Sequence, residues 1–216
     1  MLELRPAAVR RILCLGAHAD DIEIGCGGTL LKLLAEHPEA EVDWVVFSGQ
    51  GERADEARRS AEAFLSGAAR SRVDVHAFRD TFFPQAWGEI KEVFAELSQR
   101  VNPDVIFTHR REDLHQDHRA VAELTWCLFR DHLVLEYDIP KFEGDLGTPN
   151  VYVALAEDVC RRKVGHILEH FASQRTKPWF TDDTYWALLR IRGVECNSPT
   201  RYAEGFYGRK MLLATS

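Results

Sequence analysis

No stretch of the 216-residue chain reaches the roughly 20 consecutive apolar residues of a membrane-spanning helix, so no span through a bilayer is expected. The opening Met1-Leu2-Glu3-Leu4-Arg5-Pro6 has no apolar signal core ahead of a small-residue cleavage site, which makes the cytoplasm the expected compartment. Basic charge is in the minority. Against 34 Asp and Glu stand 27 Lys and Arg, and the resulting net charge of −7 excludes an indiscriminate nucleic-acid binder, though not a local basic pocket. The five cysteines (Cys14, Cys26, Cys127, Cys160 and Cys196) are odd in number and form no CxxC pair, so neither a disulfide framework nor a thiolate zinc cluster is expected. Cys14 reads as a small buried hydrophobe. Cys26 reads either as turn packing or as a ligand of the nearby site described below. Internal repeats, low-complexity tracts and convincing linkers are also lacking, and the length suits one domain over residues 1–216 with a substantial core.

What is present is alternation. Ile12 to Ala17 reads as a buried strand, followed by Gly25-Cys26-Gly27-Gly28-Thr29 as a tight turn leading into a helix at Leu30 to Leu34. Val42 to Phe47 reads as a second strand ending at Ser48-Gly49, and Asp55 to Leu65 as a helix with Ala57, Ala61, Phe64 and Leu65 on one side. Val73 to Phe78 follows as a strand, Trp87 to Val101 as a helix with a near-3.6 apolar repeat, and Asp104 to Thr108 as another strand after Pro103. Later come a strand at Val151 to Leu155 and a helix from Val159 to Phe171. This β-α-β-α order predicts an α/β fold, a mostly parallel sheet flanked by helices in three layers. Right-handed crossovers place the strand ends at Ala17, Ser48 and Thr108 on one edge.

Two polar stretches follow such strand ends. His18-Ala19-Asp20-Asp21 stands where ligands bind in open α/β sheets, and a packed core gains nothing from unpaired polar groups there. Past Thr108 come His109-Arg110-Arg111-Glu112-Asp113-Leu114-His115-Gln116-Asp117-His118 and then a periodic helix. Asp113 and Gln116 have the shape of a capping box, with Asp117 favouring the positive end of the helix dipole. Capping leaves His115 and His118 unexplained. Parallel topology brings both stretches to one edge, where His18, Asp20, Asp21, His115, Asp117 and His118 offer a three-ligand metal site with an open position. Imidazole and carboxylate suit Zn²⁺, and the same atoms suit Fe²⁺ or Co²⁺. A dinucleotide fingerprint fails, because the spacing is G-x-G-G and the carboxylates repel a pyrophosphate.

These residues resemble the PIG-L/LmbE-like zinc-dependent de-N-acetylases, which remove acyl groups from N-acylated amino sugars. Ala17-His18-Ala19-Asp20-Asp21 with Gly25-Cys26-Gly27-Gly28-Thr29 matches the family's first motif, A-H-P-D-D and G-x-G-G-T, and His115-Gln116-Asp117-His118 its second, H-x-D-H. Arg53-Ala54-Asp55-Glu56, Asp80, Ser173-Gln174 and Tyr202-Ala203-Glu204-Gly205-Phe206 look like its supporting features, so the likeness runs from about Arg11 to Phe206. The resemblance implies a Rossmann-like, LmbE-like fold with His18, Asp21 and His118 as metal ligands and Asp20 as the general base. It also implies that protonated His115 stabilises the oxyanion, that Asp117 orients His115 and keeps it charged, and that the glycines let the backbone turn beneath the metal. Arg53 and Glu56 are either a surface ion pair or contacts to substrate. Asp80 either orients a sugar hydroxyl or caps a turn, and His109 is expected to be structural or to stand behind the ligands. Trp179, Phe180 and Trp186 are either sugar-stacking faces or core.

The implied activity is hydrolysis of the acetyl amide of a small amino-sugar substrate or its conjugate. The alternatives are an amidase on a thiol conjugate or antibiotic precursor, and a sugar-binding protein without turnover. Similar proteins form trimers or hexamers, so a homo-oligomer is expected by analogy. One departure stands out: Ala19 occupies the place of the motif's proline, which would fix φ between a ligand and two carboxylates. Ala19→Pro is expected to leave metal affinity intact, checked by metal titration; a large loss would contradict the reading.

Overall fold

The computed structural model describes residue 3 and residues 8–212; apart from Glu3, the N-terminal stretch read above for a signal core lies outside the described residues. Strand β1 (Arg11–His18) is buried from Ile12 through Ala17, the continuous apolar run of a strand covered on both faces. Its side chains alternate as period two requires. Ile12 and Cys14 face one layer with residues of α1 (Asp21–Glu36), α2 (Glu52–Phe64) and α5 (Glu157–His170). Leu13, Leu15 and Ala17 face the other, with α3 (Trp87–Arg100) and α4 (Gln116–Leu128). The remaining strands are β2 (Glu41–Ser48), β3 (Arg70–Val75), β4 (Val105–His109), β5 (Leu133–Tyr137), β6 (Val151–Leu155) and β7 (Tyr202–Gly208), and the last helix is α6 (Asp182–Glu195).

The sheet order is β3-β2-β1-β4-β5-β7-β6. The first five strands are mutually parallel, and β7 runs antiparallel between β5 and β6. The expected α/β architecture is therefore present. The chain winds outward from β1 through β2 and β3, then returns to β4 on the other side of β1. Beyond β1 and β4 lies the switch point where α/β sheets bind ligands.

Several elements differ from the sequence reading. The glycine stretch is no turn: α1 starts at Asp21 and runs through Gly25, Gly27 and Gly28. Glycine inside a helix costs about 1 kcal/mol relative to alanine. Here it is required by close approach, because a Cβ at Gly25 would overlap the Tyr137 ring and one at Gly28 would meet Leu155 and Glu204. Cys26 is core on the same helix, its thiol donating to the Ile22 carbonyl at 3.3 Å, and is not a ligand. The third strand starts earlier than expected and stops at Val75, with Ala77 keeping only a bridge to Ser48. Neither β5, β7 nor α6 stood out in the sequence, since β5 is five residues long and α6 has no clean apolar stripe. Phe180 and Tyr185 are buried and Trp186 packs edge-on against Tyr202, so these aromatics are largely core.

Gly25→Ala is expected to destabilise by about 1–3 kcal/mol through overpacking. Gly165→Ala, with open space around its Cβ on α5, should stabilise by about 0.4–1 kcal/mol. Urea midpoints at unchanged slope check both.

Candidate metal centre

The end of β1 delivers the first half of the site. Asp20 starts α1 through its backbone, its carbonyl accepting from Ile24 N–H at 3.1 Å, while its side chain makes no cap. The carboxylate turns instead to Arg53, 2.9 Å from Oδ1 to Nη2. Asp21 folds back, and its Oδ2 accepts the His18 N–H at 2.6 Å. Past the β1–β4 ladder, the Ala17 N–H donates to His109 Nε2 at 2.9 Å, so a buried strand-end amide is satisfied by a side chain.

The end of β4 delivers the second half. The capping box expected of Asp113 and Gln116 does not form. His115 is the cap of α4, its Nδ1 accepting the Asp117 N–H at 3.3 Å. Asp113 stands behind the helix start, where Oδ1 accepts the His115 N–H at 2.8 Å and Oδ2 lies 3.0 Å from His118 Nδ1. Lys141 donates to the same Oδ2 at 2.9 Å and to Asp145 at 2.6 Å.

The two loops converge. His18 Nδ1 lies 3.2 Å from His118 Nε2 and 3.3 Å from Asp21 Oδ2, and His118 Nε2 lies 3.6 Å from Asp21 Oδ1. Tetrahedral coordination at zinc bond lengths separates ligand atoms by roughly 3.3 Å, so the set fits such an ion. Tautomers agree. His118 gives its Nδ1 proton to Asp113, and His18 Nε2 faces Asp80 at 3.0 Å and Asp117 at 3.3 Å. The other nitrogen of each ring and the Asp21 carboxylate thus face one another. His115 also brings a ring nitrogen near His18 and His118, within 4.8 Å, a wider grouping.

Electrostatics say the same. Burial opposes charging His18, yet the Asp21 carboxylate and hydrogen bonds to Asp117, Asp21 and Asp80 hold its pKa well above the usual imidazole range. Burial likewise opposes ionising Asp21, but His118, His109 and His18 hold it well below the carboxylate range. His118 is pushed down to about 3, by burial and then by His109. The pocket thus favours positive charge beside the Asp21 carboxylate.

Asp117 is fully buried and meets His115 through its backbone N–H. Its carboxylate accepts the backbone N–H groups of Thr81 at 2.6 Å and Phe83 at 3.1 Å. Thr81 sits at φ +67°, a strained backbone for a β-branched residue, and this anchoring holds the loop that presents Asp80 to His18. Burial and then the neighbouring His18 lower the His115 pKa, and Asp117 opposes this. Glu56, 1% exposed, is too deeply buried for the expected contact with substrate. Its oxygens accept from Ser173 N–H at 2.8 Å and Ser173 Oγ at 2.6 Å, and Arg53 lies 3.4 Å away. Arg53 faces Asp20 and rests on the Phe171 ring at 5.5 Å.

Sequence reasoning passed over Lys141 and gave Asp113 the wrong task. Asp113 had a signal, a carboxylate five residues before a candidate ligand histidine; Lys141 lies in a segment with none. His109 is fully buried, stacks on His118 at 3.9 Å between ring centres, and lies 3.1 Å from Asp21 Oδ2.

The family model described as PIG-L, GlcNAc-PI de-N-acetylase, matches residues 13–129, more than half of the chain and both loops. The chain belongs to the PIG-L family. An uncharacterized deacetylase, YaiS of Escherichia coli K12, is 25% identical over 170 residues, covering 74% of this chain and 89% of that protein. Among solved structures, GalB of Pseudomonas putida KT2440, a 4-carboxy-2-hydroxymuconate hydratase, superposes with TM-score 0.77 at 17% identity, covering 96% of this chain and 99% of that one. N,N'-diacetylchitobiose deacetylase from Pyrococcus horikoshii does so with TM-score 0.63 at 19% identity, covering 92% and 83%. At these identities, the solved structures establish a shared fold alone. Among the described residues of this PIG-L protein, no helix is long and apolar enough to cross a membrane.

Asp113→Asn is expected to weaken divalent-metal affinity about 10- to 100-fold, because a carboxylate behind a ligand imidazole fixes its tautomer and basicity. Calorimetric Zn²⁺ titration of metal-free protein checks it.

Proposed function

We propose that this protein is a divalent-metal-dependent hydrolase that removes an acetyl group from an N-acetylated amino sugar or its conjugate. The observation that carries the reading is the 3.2–3.6 Å convergence of His18, Asp21 and His118 ligand atoms at the sheet's switch point, in a chain of a de-N-acetylase family. The Pyrococcus horikoshii deacetylase, named for N,N'-diacetylchitobiose, supports an amino-sugar substrate.

His18, Asp21 and His118 would hold the ion, with Zn²⁺, Fe²⁺ or Co²⁺ suiting the set. When bound, it acidifies a water and polarises the amide carbonyl. Asp20 takes the proton of the attacking water, and the Arg53 contact through Oδ1 fixes the carboxylate for that task. His115 donates toward the carbonyl oxygen as negative charge develops. It needs no second proton to do so: Nδ1 is occupied by the Asp117 N–H, so the neutral ring carries its hydrogen on Nε2. The C–N bond breaks, acetate and a free amine form, and the amine receives the proton that Asp20 took from the water, since a neutral His115 that gave up its one N–H would be left an imidazolate. Asp117 and Asp80 act through His18, the first by anchoring the loop and the second by facing Nε2.

Acetate release from N-acetylglucosamine derivatives, with chelated protein and with Zn²⁺ restored, tests the reading. Asp20→Ala should keep the metal and lose about 10²- to 10⁴-fold in rate. His118→Ala should lose the metal itself. An Asp20→Ala rate equal to the parent's, or a chain that binds no transition metal, would remove the mechanism. Release only from a thiol-conjugate or antibiotic-precursor amide would move the substrate, and binding without release would leave a sugar-binding protein.

A further inference from the structure

A second set of ligand atoms lies on the last turns of α5 and shares no residue with the centre at the sheet edge. His166 and His170 are one helical turn apart and therefore share a face, with ring centres 5.9 Å apart at 26°. Glu169 stands beside them. One ring nitrogen from each histidine and one Glu169 oxygen all lie within 4.8 Å of one another. We propose that His166, Glu169 and His170 form a second, surface binding site for a borderline transition-metal ion of the Zn²⁺ class.

Two features favour this over solvated side chains on a polar face. First, His166 is held in place, its ring meeting Phe64 of α2 edge-on at 5.2 Å, so part of the ordering entropy is already spent. Second, α5 ends at His170, and its dipole favours a cation at the last turn, as the Arg175 donation to the Leu168 carbonyl at 3.1 Å reflects. Arg162, one turn before His166, repels it, and the Glu169 carboxylate offsets that repulsion.

The donor set selects the ion. Two imidazoles with one carboxylate suit Zn²⁺, Ni²⁺, Co²⁺ or Cu²⁺, whereas Ca²⁺ and Mg²⁺ demand oxygen ligands. The atoms must close from within 4.8 Å toward the roughly 3.3 Å of tetrahedral coordination, and exposed Glu169 has the freedom to do so. Because the outer positions are left to water and closure costs side-chain entropy, this site is weaker than the buried one.

The test is calorimetric titration of the full chain, free of any affinity tag and stripped with a chelator, using Zn²⁺ alone. Two equivalents are expected, the second weaker. The double variant His166→Gln/His170→Gln should lose the second and keep the first, while His118→Ala should lose the first and keep the second. The two metal readings can therefore fail separately. Glu169→Ala, at an exposed position away from Phe64, should weaken the second step severalfold and decides the matter if the double variant does not fold. A second equivalent absent from the parent chain, or unmoved by these substitutions, overturns the proposal.

Discussion

Two imidazole nitrogens and the two oxygens of one carboxylate held 3.2–3.6 Å apart form the constraint around which this molecule is arranged. Each imidazole is fixed from behind by acid. Asp113 takes the His118 Nδ1 proton, while Asp80 and Asp117 face His18 Nε2. The same solution is thus used twice, once from each loop. Removing one of these carboxylates would free a ring to flip its tautomer and point hydrogen, in place of a lone pair, at its partner. Lys141, paired with both Asp113 and Asp145, extends the arrangement outward and ties the segment after β5 to the carboxylate behind His118.

The helix carrying Asp21 is braced by a different device. Glu204 on β7 accepts the Gly28 and Thr29 N–H groups at 2.9 and 2.6 Å, and Lys163 on α5 donates to the Ile24 carbonyl at 2.7 Å. Lys163 and Glu204 also pair with each other, both nearly fully buried. An isolated buried ion pair rarely adds net stability. Here both members also satisfy backbone groups of one glycine-rich helix, so the pair fixes where that helix sits. A side chain at Gly28 would meet the Glu204 carboxylate, which explains physically why the glycine stretch and the distant Tyr202-Ala203-Glu204 occur together.

Much of this was readable in the linear chain, for identifiable reasons. Ile12 to Ala17 and Val42 to Phe47 are unbroken apolar runs, and α3 repeats its apolar residues at helical spacing, so the layers and the sheet edge followed. Polar residues placed directly after two such strands marked the site. The glycines misled because local propensity favours a turn there, whereas tertiary contact with Tyr137 and Glu204 keeps them helical. Asp117 misled for another reason. Its partners are backbone amides of Thr81 and Phe83, and backbone groups leave no mark in a sequence. Strand β5 stayed hidden because it is short and carries buried Glu136, whose charge is met by Trp126 and by Arg209, the latter from beyond the end of β7.

Scaffold and chemistry separate cleanly in this protein. A hydratase superposes on it with TM-score 0.77 and a sugar deacetylase with 0.63, so similarity of shape does not rank the reactions. The switch point beyond β1 and β4 explains where such a fold holds a ligand without deciding which reaction follows. That decision falls to side chains reaching over the sheet edge. Arg53 is fixed between the Asp20 and Glu56 carboxylates and the Phe171 ring, and Glu56 is in turn fixed by Ser173. The later part of the chain therefore helps set the geometry of Asp20, although both strand-end motifs lie before it. A reading confined to those motifs would find the convergent histidines and carboxylates and miss what holds Asp20 beside them.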